Sequence, residues 1–206
     1  MKRFNLAYRN DSRFVRDFEI ESVLRQVESE MQRVVAEEAI TYHFVHAGVI
    51  AWAGKAVLIP GRTLSGKSSL VVEFLRAGAS YYSDEYAVLD SRGRVHPFPR
   101  RLVTRDSDGR ATGEVDPEKL GITIGKAPLP VGVVLLTQYR PQANWDPRRL
   151  SSAKSILALL SNSLSARRDP VRAMRILGKI AASSDAFKSN RGEAGQVVHW
   201  AETVLK

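Results

Sequence analysis

Gly61-Arg-Thr-Leu-Ser-Gly-Lys67-Ser68 decides the fold, because it follows the apolar run Ala56-Val-Leu-Ile59 and opens a helical pattern over residues 68–77. A GxxxxGK[ST] loop between a buried strand and a helix wraps its backbone N–H groups around phosphate oxygens. The sequence therefore predicts a P-loop, or Walker A motif, that binds a nucleoside triphosphate. Its predicted binding residues are Gly61, Arg62, Thr63, Leu64, Ser65, Gly66, Lys67, Ser68 and Ser69.

Two residues of this loop have distinct expected roles. We expect Lys67 at an exposed helix start, contacting the β- and γ-phosphates, and Ser68 as a magnesium ligand. The alternative for the motif is a glycine turn followed by a solvated lysine.

Carboxylates for a metal and for a general base follow the P-loop helix. Asp84 and Glu85 come directly after Tyr81-Tyr82-Ser83, a predicted strand that returns the chain to the phosphate edge. The alternative for this acidic pair is a solvated turn. Asp90 competes for the metal role, since Tyr86-Ala-Val-Leu-Asp90 has the form of a Walker B strand. We rank it lower because Asp90-Ser-Arg-Gly93 also reads as a type I turn.

The remaining chain predicts an α/β fold with a mixed sheet around the P-loop. Residues 1–40 form an N-terminal extension whose amphipathic helix buries its apolar stripe in a core, and residues 41–206 form the P-loop domain. Residues 104–120 are polar and predict a mobile loop beside the site. We expect helices over residues 150–164 and 171–182, a strand over residues 131–136, and a strand or helix over residues 196–200.

Composition limits the function classes. The chain has no cysteine and four scattered histidines, so any metal should be hard and oxygen-bound. The net charge is +9, but no nucleic-acid motif accompanies the dispersed basic residues, and we do not expect a nucleic-acid partner. No apolar run is long enough for a membrane helix and no signal-peptide pattern is present, which predicts a cytoplasmic protein. The oligomeric state stays open, and a homo-oligomer is compatible with the sequence.

Three features together resemble the catalytic domain of the bacterial HPr kinase/phosphorylases and their shorter HPr-kinase-like relatives. They are His46-Ala-Gly-Val49 before the P-loop strand, the P-loop itself, and Asp84-Glu85 at matching separations. The similarity covers about residues 42–100, and the nucleotide core is also similar to that of ATP-dependent phosphoenolpyruvate carboxykinases. The resemblance implies that Asp84 is the catalytic base, that Glu85 positions metal and that His46 tunes the acidic group. Without the resemblance, His46 reads as a structural strand histidine.

The expected function is therefore that of an ATP- and Mg²⁺-dependent kinase that transfers the γ-phosphoryl group to a hydroxyl. The acceptor is a serine or threonine of a protein or peptide, or else a small metabolite. Arg100, Arg101 and Arg140 are candidates for the arginine that neutralises the migrating group. The alternative is a nucleotide-binding regulatory or scaffold protein without kinase activity. The sequence does not decide between ATP and GTP.

Overall fold

A computed structural model describes residues 3–61, 65–105 and 111–205 of the chain. Two units are distinguished by their internal packing, Met1–Ala39 and Ile40–Lys206. The division into an N-terminal extension (residues 1–40) and a P-loop domain (residues 41–206), which rests on the sequence pattern, stays a prediction. No helix among the described residues has the length and apolar character needed to cross a membrane.

The first unit is a β-hairpin followed by a helix: β1 (Asn5–Arg9), β2 (Ser12–Asp17) and α1 (Ile20–Glu38). The helix matches the predicted period, and the Asp17 carboxylate accepts hydrogen bonds from the Glu19 N–H and the Ser22 hydroxyl near its start. The expectation that the whole apolar stripe lies in a core is wrong. Val23 is buried, whereas Leu24 and Met31 are exposed.

The second unit contains an eight-stranded mixed sheet, which confirms the predicted α/β class. Its strands are β3 (His43–Trp52), β4 (Lys55–Pro60), β5 (Ser80–Ser83), β6 (Tyr86–Leu89), β7 (Arg94–His96), β10 (Leu129–Tyr139), β11 (Arg148–Arg149) and β12 (Asp185–Arg191). Strands β4, β10 and β12 run parallel to one another, and the other pairings are antiparallel. The order is β11-β12-β10-β4-β3-β6-β7, and β5 also pairs with β3.

Helices cover both faces of this sheet. The helices are α2 (Lys67–Arg76), α3 (Ser152–Leu160), α4 (Pro170–Ser183) and α5 (Ala194–Val204). Apolar residues of α2 and α5, such as Phe74 and Val197, belong to one buried cluster, and those of α3 and α4, such as Leu159 and Ile176, belong to another. Because side chains alternate along a strand, neighbouring residues of the central strands supply both clusters.

The predicted mobile loop at residues 104–120 is largely regular structure. Strands β8 (Leu102–Arg105) and β9 (Ala111–Val115) form an antiparallel hairpin, and a short 3-10 helix (Pro117–Leu120) follows. Residues 106–110 of the predicted loop lie outside the described residues. The prediction of irregular structure is wrong at these elements, because backbone pairing, with Leu102 buried at the hairpin base, forms strands from mostly polar residues; the mobility of the segment stays a prediction.

Two further differences concern the C-terminal half. The sequence predicted no strand over Asp185–Arg191, yet β12 lies between β11 and β10 in the sheet. The helix expected over residues 150–164 ends at Leu160, where the Asn162 amide donates back to the Ala158 carbonyl (2.8 Å). The segment around residues 196–200 belongs to a helix, α5.

Candidate active site

The P-loop begins where β4 ends and is anchored to β3. The Gly61 N–H donates to the His46 carbonyl oxygen at 3.3 Å. Predicted phosphate-binding residues Arg62, Thr63 and Leu64 lie outside the described residues. The rest of the loop, from Ser65 onward, leads directly into α2.

Gly66 joins the loop to α2 in a conformation that favours glycine. Its φ of 87° is left-handed, and its carbonyl accepts the first helical hydrogen bond from the Leu70 N–H. A Cβ at this position would lie 2.6 Å from the Arg191 Nη2. A Cβ on Gly61 would lie 2.6 Å from the Ser65 Oγ, so both glycines of the motif allow close packing of the loop.

Lys67 is buried, at 6% exposure, which corrects the expectation of an exposed helix start. Burial lowers the pKa of its ammonium group, while the nearby charges of Glu85 and Asp84 act in the opposite direction. The lysine and both predicted carboxylates therefore share one electrostatic environment.

Asp84 and Glu85 occupy a turn that a side chain shapes. The Ser83 Oγ accepts hydrogen bonds from the Glu85 and Tyr86 N–H groups, at 3.2 and 3.1 Å. The Ala47 N–H donates to the Glu85 carbonyl at 3.0 Å, which ties the turn to β3. The solvated turn that the sequence left open is therefore excluded for Asp84, whose exposure is 8%.

The two carboxyl groups have pKa values shifted in opposite directions. Burial raises the pKa of Asp84, the charge of Glu85 raises it further, and the Tyr81 hydroxyl donates to its Oδ1 at 3.2 Å. Burial also opposes ionisation of Glu85, but the hydrogen bond from His46 (3.0 Å) and the charges of Arg100 and Lys67 outweigh it. The pKa of Glu85 is therefore lowered. The two adjacent carboxyl groups therefore differ in how readily each of them holds a proton.

The three arginines proposed from sequence are separated by the structure. The Arg100 Nη1 lies 4.0 Å from the Glu85 Oε2, at the acidic pair. Arg101 instead pairs with Asp116 at 3.2 Å, and Arg140 is exposed at the end of β10.

Asp90 lies at the opposite end of β6 from Glu85, about 16 Å away for five residue steps of about 3.3 Å each. Its Oδ1 accepts hydrogen bonds from the Arg92 and Arg94 N–H groups, and its Oδ2 faces the side chains of Arg94 and His96. The turn interpretation therefore accounts for Asp90.

Arg191 is a residue of the site that the sequence did not reveal. It is 2% exposed, its Nη2 donates to the Gly66 carbonyl at 2.6 Å, and its Nη1 donates to the Gly192 carbonyl at 3.1 Å. It is one of 31 basic residues and lies at the end of β12, the strand that was not predicted, so no local signal distinguished it.

The donor set fits magnesium bound together with a triphosphate. No group of three or more His, Cys, Asp or Glu within the described residues could hold a metal alone. Mg²⁺ is usually held by one or two carboxylates plus substrate phosphates, and Glu85, Asp84 and the Ser68 hydroxyl offer only oxygen. Ser68 is half-buried in the first turn of α2, and Ser69 beside it is exposed. The Ser65 Oγ is buried without a hydrogen-bond partner among the described residues, which suits an incoming phosphate oxygen.

Four residues thus lie near one another at one edge of the sheet: His46, Lys67, Asp84 and Glu85. They belong to the segments whose spacing along the sequence resembles that of the HPr kinase/phosphorylases. This chain is similar to an HPr kinase/phosphorylase. It is 28% identical over 157 residues to that protein from Mycoplasma mycoides subsp. mycoides SC, an alignment covering 72% of this chain and 49% of the relative. The match confirms the resemblance predicted from sequence, and the chain spans about half the length of the curated relative.

A structural comparison finds the HPr(Ser) kinase/phosphatase from Coxiella burnetii. The two are 14% identical with a TM-score of 0.41, and the superposition covers 79% of this chain and 99% of that one. No family model matches the chain.

Proposed function

We propose that this protein is an ATP- and Mg²⁺-dependent kinase that transfers the γ-phosphoryl group to a serine or threonine hydroxyl of a protein or peptide. One observation carries the proposal. Asp84, a buried carboxyl group, and Glu85, held by His46, share the environment of the buried P-loop lysine, Lys67. A site that only binds nucleotide has no need of a second, buried carboxyl group beside the transferable phosphate.

The positive groups stabilise charge on the migrating phosphoryl group. The charges of Lys67 and Arg100 both act on Glu85, and a P-loop of this kind binds phosphate oxygens through its backbone N–H groups. Ser68 and Glu85 would hold Mg²⁺, which neutralises phosphate charge and orients the β- and γ-oxygens when it is bound. His46 fixes the orientation of Glu85 through its 3.0 Å contact.

Asp84 is the proposed general base. It accepts the proton of the acceptor hydroxyl while the hydroxyl oxygen bonds to the γ-phosphorus and the bond to the β,γ-bridging oxygen breaks. Because burial raises the pKa of Asp84, its carboxylate is a stronger base than an exposed aspartate. Because Asp84 must be deprotonated to accept a proton, the rate of transfer should increase as pH rises through this raised pKa.

The curated relative supports a protein acceptor, because its name specifies HPr as what it acts on. We place the reaction in the cytoplasm, where ATP is available. A small-metabolite acceptor and a purely regulatory nucleotide-binding role are the outcomes that the experiment must distinguish.

The experiment measures transfer of label from γ-labelled ATP to purified HPr, with HPr lacking its acceptor serine as the blank. Asp84→Asn should lower transfer by about 10²–10⁴-fold, the usual contribution of a general base, while magnesium-dependent ATP affinity stays within about threefold. Asp90→Asn is the matched control and should transfer at nearly the parent rate.

Near-normal transfer by Asp84→Asn together with an inactive Asp90→Asn would overturn this assignment. ATP binding without transfer to HPr or to any hydroxyl compound would support the regulatory alternative instead.

A further inference from the structure

A cavity of about 340 Å³ opens at the end of the sheet opposite the P-loop. Lys55, which begins β4, and Asp185, which begins β12, both line it. Lys55 lies about 16 Å from Pro60, the last residue of β4, for five residue steps of about 3.3 Å each. A ligand in this cavity therefore lies outside the P-loop site. The volume is at the lower end of the range of about 300–1,000 Å³ that is typical of small-molecule sites.

The start of α3 forms one wall of the cavity. Ser152 and Ser155, three residues apart on the same face of the helix, both line it. The Ser155 N–H donates the first helical hydrogen bond to the Ser151 carbonyl (3.0 Å), so the N–H groups of Ser152 and Ala153 have no acceptor within the helix. This wall therefore offers hydrogen-bond donors and a partial positive charge to an anion.

The hydroxyl of Ser155 is an independent indication of a ligand. Ser155 is 1% exposed, and its Oγ is buried without a hydrogen-bond partner among the described residues. Buried polar groups in proteins are nearly always hydrogen-bonded, so a lone buried hydroxyl at a cavity wall suits a ligand acceptor. Ser183 and Ser184, on the opposite wall, instead donate to the carbonyls of Lys179 and Ile180, at 3.0 and 2.7 Å.

The side-chain charges of the cavity also favour an anion. Among the described residues that line it, Lys55 and Arg149 are positive and Asp185 is negative, which leaves one net positive charge. Arg149 and Asp185 form an ion pair with each other, whereas Lys55 has no ion-pair partner within the described part of the chain. A Cβ on Gly132 would lie 2.7 Å from the Lys55 Cδ, so this glycine allows the lysine side chain to pack against β10 at the cavity.

We propose that this cavity binds a phosphate group, either inorganic phosphate or the phosphate of a small monoester. Its oxygens would accept hydrogen bonds from the Ser155 hydroxyl and from the free N–H groups at the start of α3, and Lys55 would offset its charge. The site is independent of the proposed kinase activity, because none of these residues belongs to the P-loop or to the acidic pair.

The test is calorimetric titration of the full chain with inorganic phosphate, while the P-loop is saturated with Mg²⁺ and a non-hydrolysable ATP analogue. The variants are Ser155→Ala and Lys55→Met. Lys126→Met is the matched control for the lysine change, since Lys126 is exposed and lies outside the cavity. Glycerol phosphate and acetate, titrated at the same ionic strength, test which anion the site takes, and thermal unfolding of each variant verifies its fold.

Ser155→Ala should weaken phosphate binding by about tenfold or more, the loss expected for a hydrogen bond to a charged group. Its melting temperature should not fall, because the hydroxyl that is removed has no partner among the described residues. Lys55→Met should weaken binding by about two- to fivefold, since this cation is exposed, and Lys126→Met should bind like the parent. Glycerol phosphate binding more tightly than phosphate would identify a monoester as the ligand, and equal affinities would identify inorganic phosphate.

An absence of phosphate binding once the P-loop is occupied, parent affinity in Ser155→Ala, or acetate binding as tight as that of phosphate would overturn the inference. Equal losses in Lys55→Met and Lys126→Met would show that net charge attracts the anion and would count against the cavity. A parent chain that binds no nucleotide would contradict the proposed function, while the phosphate affinities of the parent and Ser155→Ala would still decide whether this second site exists.

Discussion

At the scale of single residues, Arg191 and Lys67 show how burial determines what a charge can do. Both are buried cations beside the P-loop, and burial lowers the pKa of each. For Lys67, the nearby charges of Glu85 and Asp84 act against this effect of burial. The guanidinium of Arg191 is hydrogen-bonded to backbone carbonyls, so it shapes the loop.

Arg191 is therefore a positioning residue, and its removal should change ATP affinity by changing the conformation of the P-loop. Arg191→Met leaves the Gly66 carbonyl without its charged donor, and Arg191→Lys cannot reproduce the two-pronged contact to Gly66 and Gly192. ATP affinity should fall about ten- to a hundredfold in Arg191→Met, which corresponds to about 1.5–3 kcal/mol for hydrogen bonds from a charged group.

Calorimetric titration with ATP and Mg²⁺ measures this change, with thermal unfolding of each variant to verify its fold. Arg148→Met, an exposed change on the neighbouring β11, is the control and should bind like the parent. A folded Arg191→Met with parent ATP affinity would show that the contact to Gly66 is only structural.

Asp90 supports stability at the far end of β6. Burial opposes its ionisation, but hydrogen bonds from Arg94, His96 and Arg92 outweigh it and lower its pKa from 3.8 to about 2. A lowered folded-state pKa stabilises the fold above the unfolded value of 3.8, and this contribution disappears as pH falls toward about 2.

Asp90→Asn should therefore lower the free energy of unfolding by about 1–2 kcal/mol near pH 7, a figure reduced for screening by solvent. Urea unfolding of parent and variant at several pH values measures the difference, which should shrink as the pH falls below about 4. Asp146→Asn, an exposed control, should change stability by less than about 0.5 kcal/mol. A difference that is absent at pH 7, or that persists unchanged at pH 2, would contradict the linkage.

At the scale of elements, α2 begins and ends at left-handed glycines whose surroundings differ. Gly66 precedes the helix at φ 87°, with Arg191 against it, and Gly78 follows the helix at φ 94°, with no atom within 4 Å of an added Cβ. Comparing alanine substitutions at Gly66 and Gly78 therefore separates two effects of an added side chain: its conformational cost and its effect on the P-loop.

Gly66→Ala and Gly78→Ala should each lower the free energy of unfolding by about 1–2 kcal/mol, the cost of a left-handed non-glycine residue. Only Gly66→Ala should also weaken ATP binding, because its Cβ would displace the Arg191 guanidinium from the loop. Chemical denaturation and ATP titration of both variants measure the two effects. Equal ATP affinity in the two variants would mean that the loop tolerates the displacement.

The elements also show what the sequence could predict. Strong periodicity located α1, α2 and α4, and the spacing around the P-loop predicted that His46, Asp84 and Glu85 lie near one another, as they do in the structure. Strand β12 was missed because its residues, Asp-Ala-Phe-Lys-Ser-Asn-Arg, are mostly polar and partly exposed, so its place depends on pairing with β10. The burial of Lys67 was missed for a related reason: it depends on tertiary packing, including the approach of β3, where a Cβ added to Gly48 would lie 4.0 Å from the Lys67 Cβ.

At the scale of the whole molecule, the candidate site belongs entirely to the second unit. Its described residues extend from His46 to Arg191, and the sheet with both helix layers lies within Ile40–Lys206. The first unit has 39 residues and leaves large apolar side chains such as Phe18 and Met31 exposed. Chains of about 40 residues or fewer rarely fold without added constraints.

Residues 40–206 expressed alone should therefore fold and bind ATP with Mg²⁺ as the full chain does. Their melting temperature should lie within about 4 °C of the parent value, the shift that about 1 kcal/mol causes in a domain of this size. Residues 40–183 are the contrasting fragment, since they lack β12 and α5, and with them Arg191 and the buried Val197.

That fragment should fail to unfold cooperatively, because β10 loses β12, one of its two parallel neighbours, and the core beneath α2 loses its α5 side chains. Circular dichroism melting curves and ATP titration of the two fragments make the comparison. Residues 40–206 that fold but lose ATP binding would show that the first unit contributes to the site. A cooperative, ATP-binding 40–183 fragment would show that Arg191 is not needed for binding.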